Sequence, residues 1–333
     1  MASTKKAERP PFDELPLDKD GPPGNAWGLY GPNDELGALN MLTPETVVAA
    51  AQEIKTGERV SLDWHLNKPS RPSFDRPPFE VKLRNNPGRA INDDELHFNT
   101  QCSTQWDGFR HFGFQGVKRF YGNRTQDDVD NTDVLGIDVW AENGGVVGRG
   151  ALLDYVSFCN RHSITVDPFS SSSIPLEHIK QMVLEQDITF QAGDILVLRV
   201  GFTAAYNALD PIKQDALAQR PTPDFLGVEP TSDMLRWLWD SGFAAVVSDS
   251  PSFERAPVEG LWTGAEIEDH IDGGGLLHQV LIGGWGMPIG EMFDLEKLSE
   301  TCQRLNRWHF FMSSVPLKVP GGVASPPNAV AIF

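Results

Sequence analysis

Gln101-Cys-Ser-Thr-Gln-Trp-Asp-Gly-Phe-Arg-His111 carries Gln, Ser, Gln and Asp at positions 101, 103, 105 and 107, with a histidine four residues further on. A strand over 101–107 has a side-chain period of two, so those four polar groups share one face. Amides, a hydroxyl and a carboxylate converging on one side of a strand make a poor core and a candidate site. The competing reading is a solvated edge strand. The pattern predicts a motif strand over 96–107.

Outward from this strand, the chain alternates apolar runs of two periods. Thr43-Pro-Glu-Thr46 opens a helix: threonine caps it, proline stands first, and 47–54 supply the apolar face up to Gly57. A strand is expected over 60–66. Residues 67–95, crowded with Pro, Arg and Asn, read as a long loop or lid. Helices are expected over 174–183, 231–241 and 295–305, and strands over 195–200 and 243–248. The last strand runs into the turn Asp249-Ser-Pro-Ser252 and then Glu254. Strands alternating with helices indicate an α/β fold. Residues 1–25, rich in Pro, Lys, Glu and Asp, are expected to form a short flexible arm, disordered or clasping, and 26–333 a single domain.

The chain has 333 residues, with 28 basic and 46 acidic side chains, a formal charge of −18. Such a surface repels phosphate backbones and anionic lipid, which argues against nucleic-acid and membrane partners. No apolar run approaches a membrane span, and no apolar core follows the basic residues of the N-terminus, so no secretory signal is expected. Three scattered cysteines, Cys102, Cys159 and Cys302, suit a reduced, cytoplasmic protein.

The motif resembles the signature His-x-Gly-Thr-His-x-Asp-x-x-x-His of the cyclase family, which includes kynurenine formamidases and isatin hydrolases. Thr104, Asp107 and His111 agree with it, while Gln101 and Gln105 stand where the family has histidine. Four further stretches are similar in the same order: 27–40, 148–154, 192–201 and 277–291; a fifth, 316–322, closes the series. The resemblance implies a swivelling β/β/α fold with a barrel-like mixed sheet, assembled as a homodimer or homotetramer. It also implies a small-molecule substrate and one or two divalent ions. Carried over by position, the expected ligands are Asp107, His278 and Glu291, and His111 is the acid or base, with Asp107 and Glu291 beside it in catalysis.

The two glutamines change the expected chemistry. Zinc prefers imidazole and thiolate, and a neutral amide oxygen is a weak substitute. The remaining set suits Mn²⁺ or Mg²⁺ better than Zn²⁺, and a metal-free hydrogen-bonded network is slightly favoured over a weakly held ion. Substrate contacts are expected from Gln101, Gln105, Trp106, Phe109 and Arg110, the last through its fork of donors. Each also has a plainer reading: the aromatics as core, Arg110 as a solvated or paired cation, His278 and Glu291 as a buried ion pair. Cys102 lacks a nucleophile signature. His65, His97, His162, His178, His270 and His309 show no partner spacing. The expected activity is hydrolysis of an amide, lactam or lactone carbonyl. The alternatives are a lyase, dehydratase or ring-closing isomerase on the same groups, or a non-catalytic binding relative.

Overall fold

The computed structural model describes residues 9–221, 223–257 and 276–333. In chain order, the strands are β1 (Arg59–Ser61), β2 (Glu80–Asn85), β3 (Asn92–His97), β4 (Gln105–Asp107), β5 (Val146–Asp154), β6 (Ser173–Ile174) and β7 (Ile195–Arg199). They continue with β8 (Gly227–Val228), β9 (Ala245–Ser248), β10 (Ile289–Glu291), β11 (His309–Ser314), β12 (Ala324–Ser325) and β13 (Ala329–Ile332). The α-helices are α1 (Pro44–Ala50), α2 (Gln126–Asn131), α3 (Asp138–Glu142), α4 (Tyr155–His162) and α5 (Leu176–Glu185). After them come α6 (Phe202–Ala208), α7 (Pro211–Ala218), α8 (Ser232–Asp240) and α9 (Glu296–Leu305).

Nine strands form one curled, mixed sheet in the order β1-β13-β11-β5-β7-β9-β10-β4-β12. The run β5, β7, β9 and β10 is parallel, and both flanks are antiparallel. Parallel strands need cover on both faces, and β9 and the first four residues of β7 are accordingly buried throughout. The helices that supply this cover start where the sequence marks them. Thr43 Oγ1 accepts from the Thr46 amide at 3.3 Å to cap α1, and Thr231 Oγ1 accepts from Met234 at 3.2 Å to cap α8. Helix α8 turns Met234, Leu235, Leu238 and Trp239 into the core.

Two expectations are corrected. The predicted strand over 96–107 is not one element. Residues 92–97 form β3, which pairs with β2 in a separate hairpin, and only Gln105–Asp107 joins the main sheet. The intervening residues turn, because Cys102 N bonds back to Asn99 O at 3.0 Å and Gln101 N to Asn99 Oδ1 at 2.8 Å. The second correction follows: the supposed long loop over 67–95 contains β2 and part of β3, an exposed hairpin that pairs only with itself.

Of the arm over 1–25, the described part begins at Arg9. From Arg9 onward it clasps the body. Trp239 Nε1 donates to Pro10 O at 2.7 Å, the Arg9 guanidinium lies 4.2 Å from the Trp239 ring, and the Phe12 amide donates to Asp240 Oδ1 at 3.0 Å. Phe12 is buried edge-on against Trp285, with ring centroids 6.5 Å apart.

The same entry region fixes the late glycine-rich segment. Trp27 Nε1 donates to Gly283 O at 2.7 Å, and Trp285 Nε1 to Gly24 O at 2.9 Å. Gly37 and Gly286 meet backbone to backbone: a Cβ on Gly37 would come within 2.1 Å of Gly286 O. Both have positive φ, 51° and 59°, so glycine is required twice over at this crossing.

Candidate metal centre and active site

Strands β4 and β10 lie side by side and antiparallel, with Asp107 opposite Ile289 and Gln105 opposite Glu291. The pleat puts Gln105 and Asp107 on one face and sends Trp106 to the other. Glu291, across from Gln105, emerges on the face that Gln105 shares. All three residues of each strand are buried. The turn before β4 folds Gln101 back onto this face, where its Nε2 donates to Asp107 Oδ1 at 2.6 Å. Ser103 is not part of the group; its hydroxyl donates to His65 O at 3.1 Å.

His278 arrives from a different direction, at the mouth of a π-helical stretch over Gln279–Gly284. Such turns widen the helix and often mark functional positions. Glu254, fully buried, accepts from the His278 amide at 3.1 Å, and both its oxygens lie 2.8 Å from His278 Nδ1. The imidazole is thereby oriented with Nε2 towards Glu291 Oε1, at 3.1 Å, and Asp107 Oδ2, at 3.6 Å. A carboxylate behind a histidine in this way fixes its tautomer and raises its basicity as a ligand. Phe112 packs edge-on against the His278 ring at 5.6 Å.

The electrostatics divide the two facing carboxyls. Burial raises both, and the Asp107 charge pushes Glu291 further upward. For Asp107, His111, His278 and Gln101 outweigh burial and hold it below the usual range. Burial opposes charge on His278, but Glu254, Asp107 and Glu291 together raise it well above an ordinary histidine. His111 is half-buried, with its ring 6.1 Å from that of Phe112. Burial pushes it down to about 4 against the pull of Asp107, with His278 and Arg76 adding to the fall, so it is neutral at neutral pH.

Asp107, His278 and Glu291 each offer a ligand atom, and these atoms lie within 4.8 Å of one another. Acceptors outnumber donors around them. Gln105 Nε2, with two hydrogens, faces Asp107 Oδ1 and Glu291 Oε2 at 3.0 Å each, and Gln101 Oε1 as well. Asp107 Oδ2 and Gln105 Oε1 are buried without a hydrogen-bond partner among the described residues. Orphaned buried oxygens are costly and call for a missing cation or water. Two carboxylates, one imidazole and a spare amide oxygen fit a hard divalent ion of the Mn²⁺ or Mg²⁺ kind better than zinc. The orphaned oxygens weigh against the metal-free network that the sequence favoured.

The remaining sequence candidates fall elsewhere. Trp106 is wholly buried on the opposite face, 5.3 Å from the Phe293 ring, with Nε1 donating to Ser314 Oγ at 2.8 Å. Phe109 is wholly buried between Tyr121 and Trp140. Arg110 donates to the carbonyls of Gly321, at 2.6 Å, and Thr132, at 3.2 Å, and also to that of Val129, so it ties loops together. Trp106 is turned away by the pleat of β4, Phe109 by the chain's entry into the core after β4, and Arg110 by its bonds to loop carbonyls. Asp249 accepts from the amides of Val200, at 2.6 Å, and Gly201, at 2.7 Å, and plays no part in the centre. His270 lies outside the described residues. Burial pushes the Cys102 thiol up, against thiolate chemistry.

Sequence reasoning missed Arg76. It donates from Nη1 to Gln101 O at 2.8 Å and is coupled electrostatically to Glu291 and Asp107. Its only local mark is a place between prolines, Pro72 and Pro77-Pro78.

A family model described as putative cyclase matches residues 37–255. A crystal structure described as a novel cyclase is 26% identical, with a TM-score of 0.78, and the match covers 93% of this chain and 99% of that one. Isatin hydrolase A from Ralstonia solanacearum is 14% identical, with a TM-score of 0.58, over 87% of this chain and 98% of its own. An isatin hydrolase bound to the product analogue thioisatinate is 16% identical, with a TM-score of 0.55, over 87% and 99% respectively. The isatin hydrolases share the fold with this chain. Among the curated proteins, none matches it.

Proposed function

The chain belongs to the putative cyclase family, and from that premise we propose that it is a hydrolase of a small-molecule carbonyl, cleaving an amide, lactam or lactone. The observation that carries this reading is the convergence of Asp107, His278 and Glu291 within 4.8 Å, with a neutral His111 electrostatically coupled to the same aspartate. The isatin hydrolases of like fold are named for a cyclic amide, which supports the substrate class.

Asp107, His278 and Glu291 would hold a divalent ion, which when bound would supply a Lewis acid and acidify water. The protein's own groups do the rest. His111 rests without a proton, so it accepts one from the attacking water as the C–O bond forms. The imidazolium so produced is stabilised by the negative charge of Asp107, which its neighbours hold below the usual carboxylate range. His111 then returns the proton to the leaving nitrogen or oxygen as the C–N or C–O bond breaks. Glu254 holds His278 in place throughout, and the amides of Gln101 and Gln105 hold Asp107.

The test pairs elemental analysis of the purified protein with a hydrolysis screen of aryl formamides, lactones and cyclic amides, with and without added Mn²⁺. Activity on one class is expected, and His111→Ala is expected to lower its turnover by about 10²–10⁴-fold while the protein stays folded. Turnover within a few-fold of wild type in that variant would remove His111 from the mechanism.

A further inference from the structure

Asp107 and Glu291 each face in two directions. One oxygen of each turns to the imidazole: Asp107 Oδ2 lies 3.6 Å from His278 Nε2, and Glu291 Oε1 lies 3.1 Å from it. The other oxygen of each turns to an amide: Asp107 Oδ1 and Glu291 Oε2 both lie 3.0 Å from Gln105 Nε2. The centre therefore has two sides bridged by the same pair of carboxylates, with an imidazole on one side and an amide nitrogen on the other.

The amide side is built of oxygen. Gln105 Nε2 meets Gln101 Oε1 as well as the two carboxylate oxygens, and all four residues are buried. The Gln101 oxygen faces this way because its Nε2 is already given to Asp107 Oδ1, at 2.6 Å. Reversing the Gln105 amide would set oxygen against three oxygens, so its NH₂ is the group that points inward. Strand register holds it there, since Gln105 stands directly opposite Glu291 across β4 and β10. Converging oxygens from two carboxylates and an amide are the ligands of a hard cation. Here two N–H bonds stand in that place.

Charge points the same way. One divalent ion on the imidazole side matches Asp107 and Glu291 charge for charge. Two such ions would outweigh the three carboxylates of Asp107, Glu291 and Glu254, and Arg76, electrostatically coupled to the first two, would add to the excess. A buried surplus of that kind is costly. A neutral amide meets the oxygens without it.

We propose that Gln105 limits this centre to one ion, its NH₂ group filling a second cation position between Asp107 Oδ1 and Glu291 Oε2. The assignment takes Asp107, His278 and Glu291 as the ligands of the first ion and is independent of the hydrolase chemistry. The plainer role for Gln105 is to steady Asp107 by a hydrogen bond, which predicts that its removal weakens the one ion and admits no other.

Mn²⁺ titrated into the apoprotein, counted by calorimetry and by elemental analysis after gel filtration, separates the two roles. Wild type is expected to hold one ion per chain. Gln105→Ala removes the NH₂, leaves the three oxygens, and is expected to hold two. Ions sharing carboxylates lie about 3.5–4 Å apart, so their spins couple and the paramagnetic resonance spectrum of isolated Mn²⁺ is lost. Gln105→Glu, of the same shape, puts a negative charge where the amide was and is also expected to take up the second ion. It decides by the same count if circular dichroism shows that Gln105→Ala does not fold. Two ions in wild type overturn the proposal and leave the centre standing. A single ion in folded Gln105→Ala also overturns it and gives Gln105 the plainer role. No ion in wild type overturns it together with the ligand assignment. None of these counts depends on turnover, which the hydrolysis screen reads separately.

Discussion

Glu254 presents both carboxylate oxygens to one imidazole nitrogen, at 2.8 Å each, and a third contact to the His278 backbone. It touches neither Asp107 nor Glu291 in any hydrogen bond, so its influence on the centre passes through His278. Glu254→Gln keeps the shape, but its amide can face Nδ1 with either its oxygen or its NH₂, which loosens the tautomer. Such a change behind a metal-binding histidine costs about 10–100-fold in metal affinity. Titration of Mn²⁺ into the apoprotein, followed by calorimetry, should show that loss. Unchanged affinity would mean that His278 is not a ligand. At this scale the sequence was informative only in part. Asp107, His278 and Glu291 follow from the family resemblance across some 180 residues, whereas for Arg110, Trp106 and Phe109 the sequence left pocket and framework both open, and the framework reading fits their contacts. The pleat of β4 sends Trp106 to the opposite face, and the turn after Asp107 swings 109 and 110 away from the centre, a swing that nothing local encodes.

The elements were more legible where a local rule governs them. Helices α1, α5, α8 and α9 fall close to their expected positions because a cap or an apolar stripe defines each one. The strand expected over 96–107 failed because alternation alone cannot tell a strand from a turn stabilised by Asn99. The clasp and the hairpin show the same divide in energetic terms. Phe12 is 8% exposed and seated against Trp285, whereas Leu83, on the hairpin, is 66% exposed. Phe12→Ala should therefore lower unfolding free energy by about 3 kcal/mol, at the low end for a phenylalanine because the site is at the edge of the core. Leu83→Ser should change it by less than about 0.5 kcal/mol. Chemical denaturation of both variants checks the contrast. A large loss from Leu83→Ser would show that the hairpin face is covered in solution.

On the scale of the molecule, the decisive fact is where the centre's ligands come from. Asp107 belongs to β4 and Glu291 to β10, neighbours in the sheet although 184 positions apart. Beyond β10 the chain still has to add β11, β12 and β13, and β12 is the edge that pairs with Asp107 and Trp106. During synthesis, then, the centre is absent until Glu291 and the strands that follow it have left the ribosome. In refolding from denaturant, catalytic activity should return only with the slowest phase that restores tryptophan burial, never ahead of it. An earlier return of turnover, timed by stopped flow against fluorescence, would show that the centre closes before the sheet does. A formed centre is thus a certificate that β10 and β12 have taken their places beside β4.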